Sequence, residues 1–199
     1  TTRAALSVDR IVKEAMSGVD SVAAGLSAGT LTKDAALARL REGLEKHPRC
    51  FGSTVSYKPF GFDPKRRLYS AYYTKTDGRV AFIQLDTVYD YTKPEYEWFG
   101  PALAGGPQWT SPYYDEAART FMVTSSAPSY AVDPLTGSRS ALGVVTVDIS
   151  MDEIRRILES LDLGPSGFGA LVSKKGQYLA HPNTELVLGR KTLAQAAAE

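Results

Sequence analysis

The residues most able to do chemistry in this 199-residue chain are carboxylates set among aromatic side chains. Both tryptophans, Trp98 and Trp109, lie in one aromatic and acidic stretch, and the apolar run GVVTVDIS downstream carries a lone carboxylate, Asp148. The carboxylates of this region are Asp90, Glu97, Asp115, Glu116 and Asp148. Because two carboxylates in one cleft can cleave a glycosidic bond, the pattern permits a sugar-cleaving site.

Other signs of catalysis are missing from the sequence, which shows no Ser-His-Asp order and no phosphate-binding glycine loop. His47 and His181 lie far apart, each before a proline, without metal-ligand spacing. Cys50 is the only cysteine, so internal disulfides are impossible and a thiolate metal site is not expected. We therefore predict a binding function with no catalytic residues, no metal and no cofactor.

The same residues favour a recognition pocket. Asp148 shares a predicted sheet face with Thr146, and a buried carboxylate there needs a partner such as a ligand ammonium group. Aromatic rings attract cations, and the rings available are Trp98, Phe99, Tyr113 and Tyr130. Each residue also has a structural interpretation: Trp98 as core, Asp148 as an acceptor of backbone N–H groups, and Asp115 as the cap of a turn.

Composition excludes some partners. The net charge of +1 and a single basic cluster, Lys65–Arg67, give no electrostatic case for binding nucleic acid. No run reaches the roughly 18 apolar residues that span a bilayer. Because the chain begins TTRAALSV without methionine and stops at AQAAAE, we expect it to be a fragment of a longer protein.

The first elements are predicted to be helices. Apolar residues recur at steps of four and three at Val8, Val12, Ala15, Val19, Val22 and Leu26. This helix either packs on its own domain or also pairs with a second copy, although Gly18 and Gly25 weaken a free-standing coil. A second helix begins at a Thr30 or Thr32 cap and ends before Pro48.

Alternation with period two then predicts strands, and a short helix or helical turn is expected from Lys93 to Leu103. The predicted strands are Phe51–Tyr57, 68–74 and 79–85 across a Thr76-Asp77-Gly78 turn, then Trp109–Tyr114 with an interruption at Pro112, Thr120–Ala127 and Ala141–Ile149. A capping box, Ser150 to Glu153, begins a helix that ends at 163–165. This order predicts an α+β fold, a mostly antiparallel sheet flanked by helices on one side.

The pattern restarts after Gly164 with a hairpin, 167–173 and 177–181, and a short helix, 192–198. This piece is too small to bury its own core. It is either a cap on the first domain or the beginning of a truncated second one. We therefore divide the chain into domains 1–162 and 163–199.

Several motifs resemble, in this order, the double Cache (PDC-type, PAS-like) sensor module of bacterial membrane receptors. They are YDYTKPEYEWFGPAL, WTSPYYDEA, SSAPSY, GVVTVDISMDEI and GFGALVSKKGQYLAHPNTEL, from about Tyr89 to Thr192. The resemblance implies a long N-terminal helix, a membrane-distal PAS-like domain and the beginning of a membrane-proximal one. It also implies an extracytoplasmic, membrane-anchored, dimeric receptor that binds a small molecule and drives a histidine kinase, a chemoreceptor, a PP2C-type phosphatase or a cyclic-nucleotide enzyme.

The resemblance also implies a ligand class. Amino-acid-binding members hold the ligand carboxylate with an R-x-W-Y motif and its amine with a later Tyr and Asp. Trp98 and Phe99 match the W-Y pair, Tyr113 and Asp148 match the later residues, but Tyr96 stands where the arginine would be. Without that guanidinium, two-point capture of a carboxylate is lost. The predicted ligand is therefore an amine or another small polar solute.

Two other functions stay open, a sugar hydrolase and a ligand-free dimerisation domain. The predicted binding residues are Tyr96, Trp98, Phe99, Tyr113, Asp115, Tyr130, Thr146 and Asp148.

Overall fold

The computed structural model describes residues 2–76, 78–133, 135–161, 163–164, 167–173 and 176–198; in the first helix it describes side chains at 10, 13–14 and from 16 onward. The helices of this part are α1 Thr2–Ser27, α2 Lys33–Lys46, α3 Gly100–Gly105, α4 Met151–Glu159, α5 Thr184–Leu188 and α6 Leu193–Ala196. The strands are β1 Gly52–Tyr57, β2 Ser70–Thr76, β3 Arg79–Gln84, β4 Gln108–Trp109, β5 Tyr113–Asp115, β6 Thr120–Val132, β7 Arg139–Ser150, β8 Leu171–Val172 and β9 Tyr178–Ala180.

One antiparallel sheet organises the fold. Its strands follow the order β3-β2-β1-β7-β6-β4, and β5 also pairs with β6. β8 and β9 form a separate two-stranded ribbon. The long β6–β7 hairpin lies beside β1, so strands that are far apart in the sequence become neighbours at the centre of the sheet.

The apolar face of this sheet packs against α1 and α2. In α1 the buried side chains include Val19, Val22 and Leu26, and they join one core cluster with Val145 and Val147 of β7. The C-terminal part of the predicted apolar repeat in α1 therefore packs on its own domain, which is one of the two interpretations proposed. The side chains of Val8, Val12 and Ala15, which belong to the same repeat, lie outside the described part. Pairing with a second copy stays a prediction.

The α+β prediction is confirmed, with corrections to its details. Helices flank both faces of the sheet, since α3 packs on the side opposite α1. The short helix or helical turn predicted at 93–103 is present as turns up to Phe99 followed by α3 from Gly100. The interruption predicted at Pro112 separates β4 from β5, while α4 ends at Glu159, before the predicted stop. Within the described residues, no helix combines the length and apolarity that crossing a membrane requires.

Helix α4 is held at its start by the predicted cap. Ser150 Oγ accepts a hydrogen bond from the Glu153 backbone N–H at 3.2 Å, while the Glu153 carboxylate pairs with Arg156 at 2.9 Å. We expect Ser150→Ala to lower the free energy of unfolding by about 1 kcal/mol, because it leaves an N-terminal N–H unpaired. Urea unfolding measures this loss. Ser140→Ala, an exposed change in β7, is the control and should have almost no effect; equal losses would contradict the assignment.

Candidate functional site

The face of the sheet opposite α1 is buried and polar. The cross-strand register places Gly52 and Thr124 beside Asp148, and Thr54 beside Thr146. Its buried hydroxyl residues are Thr54, Ser56, Ser70, Thr74, Thr124, Ser126 and Thr146. Strict alternation along GVVTVDIS explains this division, because successive side chains of a strand point to opposite faces. A buried polar face needs hydrogen-bond partners, so this side of the sheet is the candidate site.

An aromatic layer covers the polar face. Tyr91, Trp98 and Phe99 are almost completely buried, with ring centroids 4.8 Å apart for Tyr91 and Phe99 and 5.7 Å apart for Trp98 and Phe99. The Tyr91 hydroxyl donates to the Tyr57 carbonyl at 2.7 Å and so ties the layer to β1. These contacts hold the 89–99 segment over the sheet without a regular helix.

Between this layer and the sheet lies a small enclosed cavity of about 10 Å³. Five predicted residues line it: Trp98, Tyr113, Asp115, Thr146 and Asp148. Four more that the sequence did not single out also line it: Thr54, Tyr72, Leu85 and Tyr89. The volume is close to the minimum that holds one water molecule, so the cavity is closed around its polar groups.

Asp148 lies at the centre of the cavity wall with 4% of its surface exposed. Its Oδ1 accepts a hydrogen bond from the Thr124 hydroxyl at 2.7 Å. Burial raises the pKa of Asp148 to about 7; the Thr124 hydrogen bond opposes the rise and the negative charge of Asp115 adds to it. When Asp148 is ionised, it can only accept, so the Thr124 hydroxyl donates its hydrogen bond to the carboxylate. The Tyr113 hydroxyl, 2.8 Å from Thr124 Oγ1, then donates to Thr124.

A second buried carboxylate, Asp115, lines the same cavity. Its Oδ2 accepts from the Tyr89 hydroxyl and its Oδ1 from the Ala118 backbone N–H, both at 2.7 Å. Burial and the charge of Asp115 raise the pKa of the Tyr89 hydroxyl, and burial with the charges of Asp148 and Asp115 does the same for Tyr113. Both phenols therefore stay protonated and serve as donors.

The described lining contains two carboxylates and no lysine, arginine or histidine. Several polar atoms on this side are also buried without a hydrogen-bond partner: Tyr72 Oη, Thr74 Oγ1, Trp98 Nε1 and Ser126 Oγ. A buried charge or a buried donor without a partner costs free energy. The site is thus short of a positive charge and of hydrogen-bond partners.

Gly52 makes the close approach of Tyr72 and Asp148 possible. A Cβ at this position would lie 2.6 Å from Asp148 Oδ2 and closer still to Tyr72 Oη. Only a glycine leaves room for both groups at this crossing of β1. No sequence pattern indicates this role, since the glycine stands at an ordinary strand start.

The structure leaves three predicted residues outside the cavity lining. Phe99 packs against Tyr91 and Trp98, and Tyr96 stacks on Tyr89 with ring centroids 4.3 Å apart. Tyr130 is a correction: its ring lies under the Arg139 guanidinium at 4.3 Å, and its backbone N–H donates to Ser27 Oγ of α1. A register shift between Ser129 and Tyr130 breaks the alternation that would otherwise place Tyr130 on the cavity face.

Most of the carboxylates that suggested a sugar-cleaving site lie outside the cavity. Asp90 pairs with Arg67 at 2.9 Å, and Glu97 and Glu116 are exposed. Only Asp115 and Asp148 share the cavity, and both already hold hydrogen bonds from protein groups. Among the described residues, no group of three or more His, Cys, Asp or Glu side chains could hold a metal ion.

A larger groove of about 890 Å³ lies between β5, β6, α4 and the C-terminal segment. Three of its lining rings, Tyr114, Phe121 and Phe168, are substantially exposed. Within the described part of the chain, its lining side chains include no buried polar atom without a partner. The smaller cavity, lined by buried polar groups, is therefore the better candidate for specific recognition.

Comparisons with known proteins agree with this fold. A family model described as the methyl-accepting chemotaxis protein-like, first PDC sensor domain matches residues 37–156, which is more than half of the chain. The methyl-accepting chemotaxis protein PctB of Pseudomonas aeruginosa is 31% identical over 119 residues, covering 59% of this chain and 18% of PctB. The chain thus spans less than a fifth of the length of that relative.

Solved structures share the fold. The extracellular domain of soHK1S-Z6, a protein assigned as a histidine kinase, superposes with a TM-score of 0.76 at 23% identity, over 93% of this chain and 69% of that one. The ligand-binding domain of the amino-acid chemoreceptor PctB from Pseudomonas aeruginosa, in complex with L-Gln, gives 0.65 at 22% identity, over 97% and 69%. On the match to residues 37–156, the chain belongs to the methyl-accepting chemotaxis protein-like family of first PDC sensor domains.

Proposed function

We propose that this PDC sensor domain stands outside the cytoplasmic membrane as part of a transmembrane receptor, and that its cavity binds a small solute with an ammonium group. The observation that carries the proposal is the pair of buried carboxylates, Asp115 and Asp148, in a lining without a cation. An ionised carboxylate that is buried without a positive partner is costly, and a ligand ammonium group would remove that cost. Aromatic rings around the two carboxylates add cation–π attraction.

The lining also argues against a ligand carboxylate. PctB is solved with L-Gln, which carries both an amine and a carboxylate. In this chain the position expected to hold an arginine is Tyr96, whose ring is stacked on Tyr89. A ligand carboxylate would meet two negative groups and no described cation in the cavity wall. An amine without a carboxylate avoids this repulsion.

Ligand entry requires the cavity to open. A space of about 10 Å³ accommodates at most about one water molecule, so even a four-atom amine must displace the aromatic layer or the sheet. Asp148 lies on β7, whose opposite face packs against α1. A shift of β7 would therefore reach α1, provided that the ligand binds the open and closed states unequally.

The remaining properties of the receptor follow from this proposal. A dimer formed through α1 would carry the shift of β7 into the membrane anchor of the parent protein. The output domain would be a chemoreceptor signalling domain, a histidine kinase or a phosphatase. In each case the sensor itself catalyses no reaction.

We expect n-propylamine to bind with an affinity that rises with pH. The ligand needs an ionised Asp148, whose pKa is about 7, so protonation competes with binding below that pH. The affinity at pH 8 should be about tenfold higher than at pH 6, since one pH unit below the pKa costs about 1.4 kcal/mol. Isothermal titration calorimetry at both values measures this.

The matched control is propanoate, which has a similar carbon chain and the opposite charge. We expect it to show no binding at either pH. Binding of propanoate with no binding of n-propylamine would overturn the proposal. An n-propylamine affinity that does not change between pH 6 and pH 8 would show that Asp148 is not its partner.

A further inference from the structure

Trp98 places a second requirement on the ligand of this cavity. Its side chain lines the cavity and is 2% exposed, and its Nε1 is buried without a hydrogen-bond partner. An indole N–H can donate a hydrogen bond but cannot accept one. The missing partner must therefore be an acceptor, and a positively charged ammonium group cannot supply it.

No acceptor in the described part of the protein bonds Trp98 Nε1. Both carboxylate oxygens of Asp115 accept hydrogen bonds from protein donors and Asp148 Oδ1 accepts from Thr124, which leaves Asp148 Oδ2 for the ligand ammonium group of the proposed site. The other tryptophan is different, because Trp109 Nε1 lies 3.4 Å from Met16 Sδ on the apolar face of the sheet. The fold thus supplies a partner for the indole outside the cavity and leaves the one inside the cavity unpaired.

A nearby hydroxyl adds to this requirement. Tyr72 lines the cavity; its Oη lies near Asp148 and Thr74 but makes no hydrogen bond of good geometry with the described residues. Hydroxyl groups both donate and accept. A ligand hydroxyl can therefore accept from Trp98 Nε1 and donate to Tyr72 Oη, which an ether or a carbonyl cannot do.

We infer that the ligand is a small amino alcohol: its ammonium group faces the carboxylates, and its neutral hydroxyl accepts from Trp98. The acceptor is neutral because Asp115 and Asp148 would repel an anion in the same enclosed space. A diamine cannot supply the acceptor either, since its second ammonium group has no lone pair for the Trp98 N–H. This inference rests on the proposed ammonium site and narrows its ligand class.

The test compares two amines of equal size, ethanolamine and n-propylamine, by calorimetry at pH 8. Wild type is expected to bind ethanolamine about tenfold more tightly, which is the scale of one hydrogen bond. Trp98→Phe keeps a ring but loses the N–H, so it should weaken ethanolamine binding about tenfold more than it weakens n-propylamine binding. Equal affinities for the two amines in wild type, or equal weakening of both by Trp98→Phe, would overturn the inference.

A second comparison needs no variant and so does not depend on the folding of Trp98→Phe. L-Serine carries the ammonium and hydroxyl groups of ethanolamine and adds a carboxylate; we expect it to bind wild type at least tenfold more weakly. Serine binding as tight as ethanolamine binding would contradict the requirement for a neutral acceptor. Failure of every amine to bind would contradict the proposed ammonium site itself. Tight n-propylamine binding without a preference for ethanolamine would contradict only the inference that the ligand is an amino alcohol.

Discussion

Replacing Asp148 by asparagine is expected to abolish amine binding, with a loss of roughly 30-fold or more in affinity for n-propylamine at pH 8. Asparagine keeps the shape of the side chain and an oxygen that accepts from Thr124, but it removes the negative charge. Loss of one partner of a buried charge pair costs roughly 2–5 kcal/mol, which corresponds to this range of affinity. Calorimetry with the purified variant measures the effect.

The same substitution should stabilise the empty domain, and the size of this gain in the free energy of unfolding depends on pH. Because the native pKa of Asp148 is raised to about 7 from 3.8, the native state binds more protons than the unfolded state between these values. Wild type therefore loses stability as pH rises from 4 to 7. Above pH 7 the asparagine variant should be more stable by up to about 4 kcal/mol, and below pH 4 this advantage should vanish. Urea unfolding across this range measures both limits.

Glu97→Gln is the matched control, since it removes one negative charge from the covering segment at an exposed position outside the cavity lining. It should bind n-propylamine within about twofold of wild type and show no such pH-dependent gain. If Asp148→Asn still bound n-propylamine within threefold of wild type, the carboxylate would not be the partner of the amine.

The central strands could be predicted because their alternation is strong. GVVTVDIS places Thr146 and Asp148 on one face, and the register of β7 with β1 and β6 agrees. The segment from Lys93 to Phe99 forms turns and no regular helix for a tertiary reason. Tyr91, Trp98 and Phe99 all enter one buried cluster, and their contacts hold the segment in turns. Packing of this kind overrides local helix preference.

The cavity could be predicted only in part, because four of its nine lining residues come from segments that no sequence pattern linked to Asp148. Tyr72 of β2 and Tyr89, which follows β3, become neighbours of Asp148 only when β1 lies between β2 and β7. No local pattern shows that pairing. Tyr130 failed for the opposite reason, since the bulge after Ser129 is invisible to an argument from alternation.

Replacing Gly52 by alanine is expected to close the cavity and abolish amine binding while the domain still folds. The new Cβ would collide with Tyr72 Oη and lie 2.6 Å from Asp148 Oδ2. Both atoms are ends of side chains that line the cavity, so relief of the contact displaces the Tyr72 ring or the Asp148 carboxylate from its place in the cavity wall. Overpacking of this kind costs about 1–3 kcal/mol of stability. Urea unfolding measures that cost, and calorimetry measures the loss of binding.

Gly43→Ala supplies the control for Gly52→Ala, because a Cβ on Gly43 of α2 would meet no atom within 4 Å. Alanine favours helix over glycine by up to about 1 kcal/mol, so this variant should be slightly more stable than wild type and bind n-propylamine normally. The Gly52→Ala variant should lose binding by at least 100-fold even at 25 °C, where it remains folded. Unchanged n-propylamine affinity in folded Gly52→Ala would place the amine elsewhere, since the substitution displaces the Tyr72 ring or the Asp148 carboxylate from the cavity wall.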